Sequence, residues 1–366
     1  MRFERVCIES LGYGVPQEVV TSDAIEERLT PLYTRLRLPA GRLELMTGIR
    51  ERRFWPAGTL PSQVSVHSGR LALRAAEFDV SRVGALVHGS VCRDHLEPAT
   101  ASAVHHHLGL PPDCLIYDLS NACLGLLNGI LQVANMIELG QIQAGLVVGS
   151  EGSRQLVETT VTMLNERHDL SRASIKSSIA SLTIGSASCA ILLTDRQLSR
   201  TGTPLIAAAY RANTAYHDLC HSGQDEAVAS GMQPLMDTDS EQLLHHGIET
   251  GRRTLDTFMS ATGWTRADID KTICHQVGSA HHKLLFDTMQ LDMAKDFATY
   301  PWLGNTGSAA LPITLAIGAE RGHLQQNDRV GLFGIGSGIN CVMLALHWGR
   351  CPVLGLEFPD ESRLSR

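Results

Sequence analysis

The feature that most constrains this chain is that it nearly repeats itself once. Arg82-Val-Gly-Ala-Leu-Val-His-Gly89 and Asp268-Ile-Asp-Lys-Thr-Ile-Cys-His275 both read as a helix exit feeding a buried strand. Asn121-Ala-Cys123 opens a helix that closes at Gly140, and Gly304-Asn305 opens another that closes at Gly322, with the same spacing from Cys123 and from Asn305. Each is followed by an apolar strand, AGLVVGSE in one place and RVGLFGIGSG in the other. Identity between the copies is weak, but their order is the same. The chain therefore reads as two related α/β halves, residues 1–199 and 200–366, joined near Arg196 to Pro204. Ligands of such sheets gather at the carboxyl ends of strands, and Cys123, His275 and Asn305 all fall at such ends.

Strand-length apolar runs at Ala85–Val87, Cys114–Tyr117, Gly145–Val148, Ala190–Leu193, Val330–Phe333 and Cys341–Leu346 carry the α/β pattern. Helical spacing fills the intervals near Ser62–Glu77, Ala99–Leu108, Leu124–Leu139, Ser240–Thr262, His281–Met289 and Ser308–Arg321. The stretch from Cys220 to Ser240, rich in Gly, Ser, Asp and Met, reads as a loop over the shared centre.

Charge and composition remove whole classes of function. Thirty-one basic residues against 38 acidic ones leave a net charge of −7, with no Lys/Arg cluster able to track a phosphate backbone, so no nucleic acid is expected. The opening MRFERVCIES places charges where a secretory signal needs its apolar core. No stretch reaches the roughly 18 apolar residues of a membrane span, and a soluble cytoplasmic protein is expected. Nine cysteines without paired spacing fit reduced thiols. His105 to His107 are consecutive on a helix and cannot share a face, and neither CxxC nor HExxH is present, so no metal is expected. GIGSG at Gly334–Gly338 leads into a strand instead of a helix, which makes it a backbone wall and not a dinucleotide site. No phosphate loop and no G-x-S-x-G elbow occur.

Cys123 lies between the buried strand LIYDL and a long helix, near unpaired backbone N–H groups and the positive end of a dipole, where a thiolate is favoured. A small buried core residue is the alternative. Cys189 and Cys341 lie inside apolar strands, and Cys274 must face away from His275 because strand neighbours alternate. His275 precedes a Gly/Ser turn, and Asn305 in LGNTGSAALP offers an amide at a helix mouth. An interior histidine and a helix cap are their ordinary roles. Together Cys, His and Asn suit thioester chemistry: the thiol takes an acyl group and the nitrogen donors hold an oxyanion or enolate. Glu97, in VCRDHLEPATAS, follows the strand equivalent to the one that carries His275. It is either a solvated surface carboxylate or, inside an apolar cleft, a base for a carbon acid.

These residues resemble the condensing-enzyme branch of the thiolase superfamily, in the manner of 3-oxoacyl-acyl-carrier-protein synthase III. The resemblance rests on TGIRERR at Thr47–Arg53, NACLG at Asn121–Gly125, GLVVGSE at Gly145–Glu151, HQV at His275–Val277 and GNTGSAALP at Gly304–Pro312. It implies a duplicated five-layered αβαβα thiolase fold, a homodimer, and a Cys123, His275, Asn305 triad. SVCRDHLEPATAS, DLSNACLGLLNG and LFGIGSGINC are in addition similar to the acyl-CoA condensing enzymes of bacterial long-chain olefin synthesis. That likeness implies that Glu97 crosses the dimer interface to act as base in the partner's site. It also implies that two long-chain acyl-CoA molecules are joined without loss of carbon dioxide to a 2-alkyl-3-ketoacyl product, with CoA thioesters as substrates and no other cofactor.

Housekeeping members carry an Arg directly before TGI and a Trp four residues earlier, both used to hold CoA, whereas this chain has Met46 and Arg42. Acyl-ACP in place of acyl-CoA therefore remains a candidate substrate. Three other activities fit the same residues: decarboxylative condensation with a malonyl thioester, acyl transfer to an alcohol or amine, and a silent subunit beside a partner ketosynthase. The tail from Gly349 to Arg366 extends past the last family strand.

Overall fold

Alternation along the strands builds the layers. The computed structural model describes residues 1–223 and 235–358. In chain order the strands are β1 (Val6–Pro16), the short pair β2 (Glu18–Thr21) and β3 (Glu51–Phe54), β4 (Ala85–Gly89), β5 (Leu115–Leu119), β6 (Ala144–Glu151) and β7 (Ala187–Asp195). They continue with β8 (Leu205–Ala212), the pair β9 (Cys220–Ser222) and β10 (Met236–Thr238), β11 (Lys271–Cys274), β12 (Arg329–Gly336), β13 (Asn340–His347) and β14 (Val353–Phe358). One sheet has the order β14-β1-β7-β6-β4-β5 and the other β11-β12-β13-β8.

Val147, Ile191 and Leu193 turn one way, onto the helix Gly125–Glu138, while Leu146, Val148, Ala190 and Leu192 turn the other, onto the helices Pro61–Ala75 and Thr100–Leu108. The second sheet repeats this. Leu332, Leu344 and Leu346 join the central core with Leu311, Ile313 and Leu315, and Phe333, Met343 and Cys341 face Leu255 and Phe258 of the helix Ser240–Thr262. Two sheets thus enclose a middle layer of two helices and carry further helices outside, which gives the αβαβα thiolase architecture. The central helix Ala310–Glu320 is buried from Ala310 to Gly318, so it has no polar face to offer water.

The repeat read in the sequence maps β4 onto β11, β6 onto β12 and β7 onto β13. In the second sheet the counterpart of β5 shrinks to a single bridge between Thr272 and Asp296. The apolar runs are strands and the six helical stretches are helices, with ends displaced by a few residues. β1 escaped sequence reading: all of it is buried, yet it holds Glu9, Ser10, two glycines and a proline. Glu9 is tolerated because it accepts from the Arg200 N–H (2.9 Å), Ser199 Oγ (2.7 Å) and Thr194 Oγ1 (3.3 Å). The expected loop from Cys220 to Ser240 differs at its ends, where β9 pairs antiparallel with β10. Its middle lies outside the described residues.

The chain ends are exchanged between the sheets. The Met1 ammonium donates to the Ala208 carbonyl (2.8 Å) and the Phe3 N–H to Ile206, both on β8. At the other end, the tail's β14 runs parallel to β1, with Leu11 opposite Val353 and Pro16 opposite Phe358. No helix among the described residues is long and apolar enough to cross a membrane.

One contact fixes the nucleophile segment to the sheet. The end of β4 and the start of the helix Gly125–Glu138 meet backbone to backbone, so a Cβ on Gly125 would fall 2.8 Å from the Gly89 carbonyl carbon and oxygen. Gly125→Ala is expected to cost about 1–3 kcal/mol through overpacking, measured as a lowered urea midpoint with an unchanged slope.

Candidate active site

The turn Asn121–Leu124 joins β5 to the central helix. Ala122, directly before Cys123, has φ 46°, a left-handed conformation that a non-glycine residue adopts at a cost and that recurs at functional turns. The turn presents the Cys123 sulfur to two backbone N–H groups, its own and that of Ser337. Ser337 belongs to GIGSG, so the expected backbone wall stands against the sulfur. The carboxyl ends of the two sheets meet here.

A thiolate is not favoured in this resting site, contrary to the expectation drawn from the helix start. The Cys123 thiol is pushed up to about 12, first by burial and then by the nearby Glu151 and Cys220, and the two N–H contacts offset only part of this. Desolvation outweighs a dipole whose effect is modest. Burial also raises the thiols of Cys189, Cys274 and Cys341, as their strand positions imply.

His275 extends β11, donating its N–H to the Phe333 carbonyl (3.0 Å). Its ring is buried, and Nδ1 is shut from solvent without a hydrogen-bond partner. Burial, helped by His281, lowers it to about 3, so the imidazole is neutral at physiological pH. Gln276 braces the segment. Its Nε2 donates to the Cys274 carbonyl (2.6 Å) and its Oε1 accepts from the Thr299 N–H (2.9 Å) and the Tyr300 N–H (3.1 Å).

Asn305 is clamped by its own backbone, donating to the Thr183 carbonyl (3.0 Å) and accepting from Gly185 (2.9 Å). Its Oδ1 accepts from the Gly307 N–H (3.0 Å), so what the amide can offer a ligand is its NH2.

Glu97 is exposed in the loop after β4, next to the exposed Leu96. Both ends of that loop are pinned. Val91 and Cys92 donate their N–H groups to Glu151 (3.1 and 3.2 Å), and Asp118 accepts from the N–H groups of Thr100 and Ala101 (2.8 Å each). The Glu97 side chain is exposed, whereas Cys123, His275 and Asn305 lie in turns at the ends of strands.

Sequence reasoning met Ser337 only as part of the GIGSG wall, and missed His281 and Glu151. Of these two, Glu151 left a signal, a carboxylate ending the otherwise apolar AGLVVGSE. Beside the site an apolar pocket opens among Leu32, Tyr33, Leu43, Leu164, Ile175 and Leu182, with Arg42 and Met46 also in its wall. Leu182 directly precedes the Thr183 that holds Asn305. Among the described residues no group of three His, Cys, Asp or Glu side chains could hold a metal.

The raised Cys123 thiol has a measurable consequence. Below its pKa the thiolate fraction rises tenfold per pH unit, so alkylation of the resting enzyme by iodoacetamide is expected to keep accelerating from pH 7 to 9. A plateau near neutrality would contradict the half-buried, protonated thiol.

Comparisons with known proteins show which family the chain is similar to. Residues 259–348 match the family model of the 3-oxoacyl-[acyl-carrier-protein] synthase III C-terminal region. An acyl-CoA:acyl-CoA alkyltransferase of Shewanella oneidensis is 41% identical over 351 residues, covering 95% of this chain and 100% of the relative. The enzyme of the same name from Xanthomonas campestris is 32% identical, with 95% and 100% covered. Crystal structures of Xanthomonas campestris OleA include a cysteine-to-serine variant with bound lauric acid and lauroyl-CoA, which superposes with a TM-score of 0.89 at 32% identity over 94% of this chain and 100% of that one. Others carry substitutions at one histidine or one glutamate. The chain belongs to the acyl-CoA:acyl-CoA alkyltransferase family, a thiolase-fold branch of enzymes related to 3-oxoacyl-acyl-carrier-protein synthase III.

Proposed function

We propose that this enzyme joins two acyl-CoA molecules by a non-decarboxylative Claisen condensation, with Cys123 as nucleophile, His275 and Asn305 as oxyanion donors and Glu97 as base. The observation that carries the reading is the convergence of the Cys123 and Ser337 N–H groups on the Cys123 sulfur, at the sheet ends that also bear His275 and Asn305.

The Cys123 sulfur attacks the first acyl-CoA carbonyl, the two N–H groups take the oxyanion, and the thiol proton leaves with CoA as its free thiol. A second acyl-CoA then binds with its carbonyl oxygen against His275 and the Asn305 amide. A neutral imidazole with Nδ1 buried turns Nε2 to that oxygen as donor. Glu97 removes the α proton, the enolate carbon attacks the acyl-Cys carbonyl, and Cys123 departs and is reprotonated. The product is a 2-alkyl-3-ketoacyl thioester. The chemistry calls for no cofactor beyond the CoA thioesters themselves.

Glu97 is exposed on its own protomer and in this reading reaches a site in a homodimer partner. β5 supports this: among the described residues it pairs only with β4, and its Leu115 is 53% exposed. An unpaired, partly apolar edge strand is one that proteins cover. In the Xanthomonas campestris enzyme the substituted glutamate and cysteine are separated by the same number of residues as Glu97 and Cys123. The apolar pocket beside Asn305 suits an alkyl chain, the substrate class is long-chain acyl-CoA, and the place of action is a cytoplasmic route to olefins.

Incubation with acyl-CoA, with and without malonyl-CoA, followed by mass spectrometry of protein and products, tests this reading. Acylated Cys123 and a condensed product are expected without malonyl-CoA, and C123A abolishes both. Loss of an oxyanion donor typically costs about 10²–10³ in rate, so H275A and N305A are expected to lower condensation by that factor and acylation by less. Removal of a general base costs about 10²–10⁴. E97A is expected to fall in that range, and mixing it with C123A should restore activity through hybrid dimers. A condensation that survives E97A and requires malonyl-CoA would select the decarboxylative mechanism.

Narrowing the pocket with Leu164→Trp is expected to shift the preferred acyl chain to shorter lengths. Each methylene that can no longer be buried weakens binding by about 0.8 kcal/mol, close to fourfold. Competition between acyl-CoA chain lengths measures the shift.

A further inference from the structure

We infer that Glu151 is a positioning residue for the condensation step: its buried carboxylate ties the loop that carries Glu97 to the loop that carries Asn305. The inference rests on the proposed condensation, in which base and oxyanion donors must meet on one substrate.

Glu151 ends β6 and is 5% exposed. Its side chain accepts from two N–H groups at the root of the Glu97 loop, Val91 to Oε1 (3.1 Å) and Cys92 to Oε2 (3.2 Å). It also accepts from Ser308, at 3.3 Å from the N–H and 2.5 Å from Oγ. Ser308 stands three residues past Asn305, within GNTGSAALP. Every one of these partners is a donor, the complement of a carboxylate.

The second loop is shaped around the carboxylate. Gly307 has φ 56°, and a Cβ there would fall 3.0 Å from the Glu151 Cγ and 3.2 Å from its Cδ. The main chain is held by Trp55, whose Nε1 donates to the Glu151 carbonyl (2.9 Å). One side chain at the end of a first-sheet strand therefore joins the base loop, which is built on that sheet, to the Asn305 loop that leads into the second central helix. The titratable groups that act on Cys123 are Glu151 and Cys220, and Cys92 is a neighbour of Glu151. The carboxylate's charge opposes formation of a thiolate at Cys123.

Glu151→Gln separates positioning from bulk packing. The amide keeps the shape but only one acceptor oxygen: in the Oε1 place it keeps Val91 and Ser308 and turns its NH2 on the Cys92 N–H, and turned over it keeps Cys92 and opposes the N–H groups of Val91 and Ser308, so the tie is weakened either way. A misplacement of about 1 Å between reacting groups can cost 10²-fold. In E151Q, which weakens the tie without cutting it, condensation is expected to fall about tenfold, while single-turnover acylation of Cys123 stays within about threefold. At fixed pH its thiol is expected to be alkylated several-fold faster, since the opposing charge is gone. Ser308→Ala cuts the link from the other side and is expected to show the same split, with about a tenfold loss; it decides the matter if E151Q does not fold.

Unchanged condensation in both variants, or an equal loss in acylation and condensation, overturns the role, and so does an alkylation rate that does not rise in E151Q. Wild-type enzyme that acylates Cys123 but never condenses acyl-CoA would instead overturn the proposed function.

Discussion

Two central helices packed between two sheets, one of them buried from Ala310 to Gly318, are the constraint from which the rest follows. Leu127, Ile130 and Leu131 of one and Leu311, Ile313 and Leu315 of the other share a single core with both sheets. Apolar burial of this kind is non-directional, so orientation must come from elsewhere. It comes from backbone contacts: the glycine-to-glycine approach at the end of β4, and the clamp of Asn305 between Thr183 and Gly185. Packing brings the layers together, and these contacts decide which turns face one another.

The same burial sets the electrostatics. Cys123 and His275 move in opposite directions, the thiol upward and the imidazole downward, because each loses solvent for its charged form. The resting site is thus built from neutral nitrogen donors and a protonated thiol. Donors that need no reorganisation are most effective where water is excluded, so a site that disfavours charge at rest is suited to receiving the transient negative charge of an oxyanion or enolate.

Much of this was legible in the sequence where the signal was local. Parallel strands buried on both faces read as unbroken apolar runs, which exposed β4, β6 and β12, and the NACLG and GNTGSAALP segments announced their turns. β1 was not legible because its polar residues are satisfied by partners such as Thr194, Ser199 and Arg200 that lie far along the chain. The thiol's state was misjudged for the same reason. A helix start is visible locally, whereas enclosure beside Glu151, Cys220 and Ser337 exists only once both halves have come together. Glu151 was hidden likewise, since its meaning lies in Val91, Cys92 and Ser308. The reach of Glu97 toward a partner could be drawn only from family likeness.

The exchange of strands between the sheets has a consequence for their borders. β14 covers the edge of the first sheet beside β1, and residues near Phe3 find their partners on β8, so each border is closed by a segment far away along the chain. Without β14 the edge of β1 would be open to strands of other molecules, so this segment guards the sheet against aberrant association.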